Sequence, residues 1–134
     1  MNTLDADIAD ERLRRLAELA WDARERAFVF GPTKVGCAVL ADNGQMFFGC
    51  NVEHKFRSHD VHAEVNAITS MVAAGSRKLT MIVIVAEREQ FTPCGACMDW
   101  ILQFCEDCVV AFQSTKGGLF FQLRARELMP HYPR

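Results

Sequence analysis

Residues 79–86 read Leu79-Thr80-Met81-Ile82-Val83-Ile84-Val85-Ala86, and beyond a polar loop the chain continues Pro93-Cys94-Gly95-Ala96-Cys97. The first stretch is continuous, apolar and β-branched, as a strand buried on both faces requires. Pro93 suits a helix start, where its missing amide hydrogen costs nothing, so a helix is expected from Pro93 through Phe104. On the C-terminal side, Val109 to Gln113 and Leu119 to Leu123 read as strands around a Lys116-Gly117-Gly118 turn. Arg124 to Met129 is expected as a short helix closed by Pro130. On the N-terminal side, residues 62–74 read as a helix with Val65, Ile68, Thr69 and Val72 inward and Gly75 as its stop. Val35 to Leu40 and Gln45 to Asn51 are strands joined by the hairpin signal Asp42-Asn43-Gly44. Residues 8–29 repeat apolar side chains at helical steps (Ile8, Leu13, Leu16, Leu19, Ala20, Ala23), and Gly31-Pro32 is the expected end of that helix. The order α-β-β-α-β-α-β-β-α implies an α/β domain: a mixed sheet covered by helices, with an antiparallel hairpin at its start.

The 134 residues suit one domain, and half of them are apolar, enough for a full core. With 15 basic and 17 acidic residues the net charge is −2, a poor basis for gripping a polyanion, which needs clustered Lys and Arg. No apolar run approaches the ~20 residues of a membrane span. The first fifteen residues lack the features of an export signal, so the cytoplasm is the expected compartment. Six cysteines (37, 50, 94, 97, 105 and 108) are therefore expected as buried, catalytic or metal-bound thiols rather than disulfides.

Two motifs carry the chemistry: His62-Ala63-Glu64 and Pro93-Cys94-Gly95-Ala96-Cys97. A catalytic Zn²⁺ takes three protein ligands and leaves a fourth position open. His62, Cys94 and Cys97 fill three positions, and both motifs stand at predicted helix starts, where the dipole favours thiolates. His62 and Glu64, two residues apart, would diverge by ~200° inside a helix. They can serve one site only if His62 lies at the helix entrance. Either motif alone is ordinary: an H-x-E is usually an exposed helix end, and a C-x-x-C is often redox-active or structural. Cys105 and Cys108 form a second C-x-x-C, and a closed four-cysteine zinc site is the rival arrangement. A continuous helix would hold Cys94 ~16 Å from Cys105, against ligand distances of ~2.3 Å, so the second pair is expected in the core.

H-x-E followed by P-C-x-x-C is the known signature of zinc deaminases. From about Ala27 to Tyr132 the chain resembles the cytidine deaminase superfamily, in particular its short, single-domain, usually homotetrameric members. Val35-Gly36-Cys37-Ala38-Val39 matches the family's Val-Gly-Ala-Ala-Leu strand, and Thr92 to Cys97 its Ser-Pro-Cys-Gly-Ala-Cys. Asn51-Val52-Glu53-His54 matches its Asn-(Ile/Val)-Glu-Asn, at the family's own separation from His62. Glu127-Leu128-Met129-Pro130 matches the closing Glu-Leu-Leu-Pro. The resemblance implies a three-layer α/β/α fold with a five-stranded mixed sheet and a Zn²⁺ cofactor. It also implies a ribose 3′-hydroxyl held by Asn51 and Glu53 and a base carbonyl met by the backbone of Ala63. Four differences stand out. His62-Ala63-Glu64-Val65 replaces Cys-Ala-Glu-Arg. Thr33 takes the place of a base-stacking Phe, with Phe28 or Phe30 as candidate substitutes. The loop Lys55 to Val61 is charged where the family's is small and apolar, which suits either a wetted surface or recognition of a phosphate or unusual nucleoside. Met98-Asp99 replaces an Arg-Gln expected near subunit contacts.

The activity implied is hydrolysis of a cytosine C4 amine to a carbonyl with release of ammonia, on a small-molecule nucleoside. Zinc brings the pKa of water to about 7. Glu64 is the expected proton carrier, while His62, Cys94 and Cys97 only bind metal. The competing substrates are a blasticidin-like antibiotic nucleoside, a deoxycytidylate and a free base. A polynucleotide-editing enzyme and a non-catalytic zinc fold compete from outside that substrate class; the net charge disfavours the first and Glu64 the second. A homotetramer is implied by the resemblance, with no membrane and no stable nucleic-acid partner.

Overall fold

The computed structural model describes residues 3–89 and 91–133, with side chains from residue 10 onward. Five strands lie in the order β2-β1-β3-β4-β5: β1 (Gly36–Ala41), β2 (Met46–Cys50), β3 (Leu79–Val85), β4 (Val109–Gln113) and β5 (Phe121–Arg124). The helices are α1 (Thr3–Arg24), α2 (Ala63–Ala73), α3 (Gly95–Phe104) and the short α4 (Ala125–Leu128). β1 pairs antiparallel with both β2 and β3, β3 pairs parallel with β4, and β5 returns antiparallel to β4. The mixed sheet is thus the expected one. Its parallel step is the β3-α3-β4 crossover, since parallel neighbours need a long connection.

Alternation along the strands sorts the core into two layers. On one face Ala38, Leu40, Met81, Val83, Val85 and Ala111 pack under Leu13, Leu16, Ala17, Ala20 and Trp21 of α1. On the other face Cys37, Val39, Ile82, Ile84, Val110 and Phe112 pack under Ala67, Ile68 and Met71 of α2 and Met98, Ile101 and Leu102 of α3. From Met81 onward β3 therefore has no solvent face, Thr80 alone being exposed, which is why its sequence lacks polar alternation. Trp21 Nε1 donates to Gln113 Oε1 across 2.7 Å, tying α1 to the end of β4 and giving both buried polar groups a partner.

Several boundaries differ from the sequence expectation. α1 ends at Arg24 rather than residue 29, because Phe28 N donates to Asn51 O and Glu53 N donates to Phe28 O, drawing this segment into an extended pairing. The expected inward position of Ile8 lies outside the described side chains. Thr69 faces outward. Its hydroxyl donates to Val65 O at 2.8 Å, and Ala63, Glu64, Ala67, Ile68 and Met71 form the buried stripe of α2 instead. Pro93 precedes the helix it was expected to open, because Cys94 is the extended N-cap of α3. Leu119, at 95% exposure, belongs to the loop, since pairing of Phe112 with Phe121 sets where β5 begins. Gly75, with φ +101°, closes α2 as expected.

Helix α2 is held close to β2. A Cβ on Gly49 would lie 2.5 Å from Asn66 Oδ1 and 2.7 Å from Ala67 N, and Asn66 Oδ1 accepts from Cys50 N at 3.0 Å. Gly49→Ala must push α2 outward, so it should cost about 1–3 kcal/mol of folding stability, the usual penalty of overpacking. Urea denaturation checks this: a cost below about 0.5 kcal/mol, the size of an ordinary surface substitution, would contradict the close approach.

Candidate active site

α2 and α3 begin side by side at the carboxyl end of β3, and the site is built from their first turns. His62 is the N-cap of α2, with extended backbone at φ −76° and ψ 154°. It stands outside the helix, so the divergence that helical geometry would impose between it and Glu64 does not arise. Glu64, in the first turn, is only 6% exposed and benefits from the positive end of the helix dipole. Cys94 is the N-cap of α3, also extended, and Cys97 lies within its first turn. Side chains at an N-cap and three residues later are neighbours, as in a capping box, so the C-x-x-C spacing brings both sulfurs to one place.

The donor atoms of His62, Cys94 and Cys97 all lie within 4.8 Å of one another, the only such His/Cys/Asp/Glu group among the described residues. His62 Nδ1 is 3.2 Å from Cys97 Sγ and 3.5 Å from Cys94 Sγ. A tetrahedral zinc with Zn–N ~2.0 Å and Zn–S ~2.3 Å separates such atoms by ~3.5 Å, so the donor set and its spacing fit the metal. Cys97 differs from the sequence expectation of a helix-stabilised thiolate. Burial foremost, then the nearby Glu64 carboxylate, push its thiol well above the ordinary cysteine range. A divalent cation offsets both causes at once. Cys105 and Cys108 lie beyond the far end of α3, both buried, with sulfurs 2.8 Å apart. They belong to the core and take no part in the metal cluster.

Beside this cluster opens a cavity of about 260 Å³, lined among others by Thr33, Asn51, Glu53, Arg57, Asp60, Ala63, Glu64, Arg88 and Phe91. The size, a little under the ~300 Å³ at which ligand pockets begin, suits one small molecule. Asn51 and Glu53 reach it because Val52 and Val61 exchange two backbone hydrogen bonds of 2.8 Å, which brings the 51–53 segment beside His62. Asn51 Oδ1 accepts from Val35 N at 2.8 Å, and its Nδ2 donates to Thr33 O at 3.0 Å. Glu53 Oε1 accepts from Phe30 N at 2.7 Å and Gly31 N at 3.0 Å. The Gly31 and Phe30 amides hold the Glu53 carboxyl below the usual range, aided by Arg57. Ala63 is buried on the cavity wall, with a first-turn amide that has no acceptor within the helix.

Phe28 stands elsewhere. Its side chain is 59% exposed, packs edge-on against Phe30 with centroids 5.5 Å apart, and is not among the cavity-lining residues, nor is Phe30. The aromatic side chain on the wall is Phe91, packed edge-on against Phe112 at 5.4 Å, with the Arg88 guanidinium 5.5 Å over its ring. Sequence reasoning points to neither Arg88 nor Phe91, because the loop that carries them has no motif of its own.

The profile described as the cytidine and deoxycytidylate deaminase zinc-binding region matches residues 10–113. This chain belongs to that family. It is 33% identical over 110 residues to a cytidine deaminase of Sporosarcina psychrophila, covering 81% of each chain. The crystal structure of a cytidine deaminase from Burkholderia pseudomallei superposes with a TM-score of 0.80 at 31% identity, covering 87% of this chain and 95% of that one. A cytidine deaminase from Mycobacterium tuberculosis shares the fold, with a TM-score of 0.74 at 24% identity, covering 87% of this chain and 93% of that one. The three-layer fold with its five-stranded mixed sheet is therefore that of this family, as the motifs implied.

Membership and donor geometry lead to one expectation for the metal. Cys94→Ser should lose most of the bound zinc, while Cys105→Ser should retain it, by elemental analysis of purified protein. Equal loss in both variants would overturn the ligand assignment.

Proposed function

We propose that this protein hydrolyses the C4 amine of a cytosine-type nucleoside, converting cytidine or deoxycytidine and water into the uracil nucleoside and ammonia. The observation that carries this reading is Glu64: a buried carboxylate beside a three-ligand cluster, itself outside the ligand set and lining a cavity. A closed structural metal site has no use for such a group, whereas hydrolysis needs a proton carrier there.

His62, Cys94 and Cys97 would hold Zn²⁺, which supplies Lewis acidity for activating water at neutral pH. Glu64 takes one proton from the attacking water and delivers it to N3 of the base, then takes the second from the new C4 hydroxyl and passes it to the departing amine, leaving a C4 carbonyl and ammonia. Burial suits it to this work, because the carboxylate keeps its proton-carrying geometry away from bulk water. The Ala63 amide at the helix start donates to the carbonyl of the base. Asn51 and Glu53 face the sugar, and Phe91 offers a ring face to the base. We assign the protein to the cytoplasm and to a homo-oligomer of tetrameric type, the latter consistent with the exposed Phe28, Phe30, Phe48 and Phe56 side chains.

Glu64→Gln tests the mechanism. It should retain zinc and lose at least ~10³-fold in kcat, towards the upper end of what a general acid–base group contributes. Ammonia release from cytidine, deoxycytidine, cytosine, deoxycytidylate and blasticidin S is the assay, with the two nucleosides expected fastest. A variant within about tenfold of wild type, below the range of such a group, would remove Glu64 from the reaction. Preference for free cytosine would overturn the nucleoside reading. For assembly, light scattering at micromolar concentration should give a mass near four chains, and a fully active monomer would contradict it.

A further inference from the structure

The loop from Glu53 to Asp60 is more ordered than a wetted surface. Arg57 opens a single 3₁₀ turn, Arg57–His59, and its Nε donates to Asp60 Oδ2 at 2.9 Å. Its Nη2 lies 3.1 Å from Glu53 Oε2. Each of the two carboxylates is anchored to backbone through its other oxygen: Asp60 Oδ1 accepts from His54 N at 2.7 Å, and Glu53 Oε1 accepts the Phe30 and Gly31 amides. The guanidinium is thus clamped between two carboxylates that are themselves held in place. All three residues line the cavity.

This arrangement redistributes the polar work of the cavity. Both ends of the Asn51 carboxamide hold the 33–35 segment in place. Arg57 has five N–H groups, and its two ion pairs use two of them. A hydroxyl must both donate one hydrogen bond and accept others. Glu53 Oε2 and the Arg57 guanidinium, adjacent in an ion pair, present an acceptor and a donor side by side. Two carboxylates and one guanidinium sum to −1. That charge is compatible with a neutral hydroxyl and opposes a phosphate at the same place.

We propose that Arg57 is a specificity-determining residue, donating to the sugar hydroxyl from which Glu53 accepts. The inference rests on the nucleoside-deaminase reading above, and it gives the charged loop a role in substrate choice.

The experiment compares zinc-loaded wild type, Arg57→Ala and Arg57→Lys on cytidine, 2′-deoxycytidine, 3′-deoxycytidine and free cytosine. One hydrogen bond to a charged group corresponds to about ten- to a hundredfold. Wild type should keep kcat/KM on 2′-deoxycytidine and lose it by that factor on 3′-deoxycytidine, the analogue that lacks the hydroxyl read. Arg57→Ala should show a similar loss on cytidine, mainly through KM, with kcat changing by less than about threefold, as loss of uniform binding requires. On that same analogue the variant should show little further loss, and on free cytosine it should match wild type. Arg57→Lys, with the charge but without the fork, should recover part of the affinity for cytidine. The inference is overturned if the losses from analogue and variant multiply, if free cytosine suffers equally, or if Arg57→Ala leaves KM for cytidine unchanged. Should Arg57→Ala fail to fold, the analogues alone still decide: a wild type indifferent to the 3′-hydroxyl ends the proposal. A zinc-loaded wild type inactive on every cytosine nucleoside refutes the proposed function itself, a different result from turnover that ignores the hydroxyls.

Discussion

Everything at this site depends on two helix N-termini meeting over the end of β3. A metal site tolerates errors of only a few tenths of an ångström in its donor positions, and here the donors come from chain segments more than thirty residues apart. Placing His62 and Cys94, the first donors of the two segments, at N-caps relieves the problem. The side chain leaves the backbone from an extended residue, not from the crowded helix wall, so His62 and Cys94 can lean towards each other across the gap between α2 and α3. The helices themselves are fixed by a sheet face made of Cys37, Val39, Ile82 and Ile84, which pins their axes before any metal arrives. Gly49 and Asn66 set the height of α2 above that face.

The same convergence explains why Glu64 can be buried. An isolated carboxylate moved out of water carries a penalty of several kcal/mol, and neither Arg nor Lys pairs with Glu64 among the ion pairs of the described residues. In the neighbouring strand, burial and then Glu64 push the Cys37 thiol up as well, so the negative charge is felt through the core. A divalent cation beside it is the natural counter-charge. One neutral His and two thiolates around Zn²⁺ sum to zero, which leaves the metal without the surplus negative charge that three thiolates would bring.

Much of this was legible in the sequence, because local pattern and fold agree. The apolar, β-branched run of residues 79–86 reads as a buried strand, and the two short motifs pointed to the four side chains that the structure gathers at the helix starts. What stayed hidden depends on tertiary pairing. The end of α1 at Arg24 is set by a strand-like partnership between Phe28 and the 51–53 segment, and no residue near 24 announces it. Thr69 reads as apolar by spacing, yet its hydroxyl finds the Val65 carbonyl one turn back, which leaves it satisfied on the outer face. Phe91 enters the cavity because the loop after β3 must travel from the sheet to the N-cap of α3. Phe28 was a candidate for the same duty only by proximity in sequence.

The charged loop is the clearest case of chemistry that sequence alone leaves ambiguous. Lys55, Arg57, His59 and Asp60 together suit a wetted surface, a phosphate or an unusual nucleoside. The pairing of Val52 with Val61 closes the segment on itself, so that Glu53 and Asp60 arrive on either side of Arg57. Once both carboxylates are committed, the guanidinium no longer acts as a lone positive charge. It becomes a rigid donor within a slightly negative cluster, and that is a poor seat for a phosphate. Polynucleotide substrates carry a phosphate on both sides of every internal sugar, so one of them would have to approach this cluster. The chain's net charge of −2 argues against such a ligand from a distance, and the Glu53-Arg57-Asp60 network argues against it at contact range, where the field is strongest. Bulk composition and local geometry therefore favour the same class of ligand, a free nucleoside.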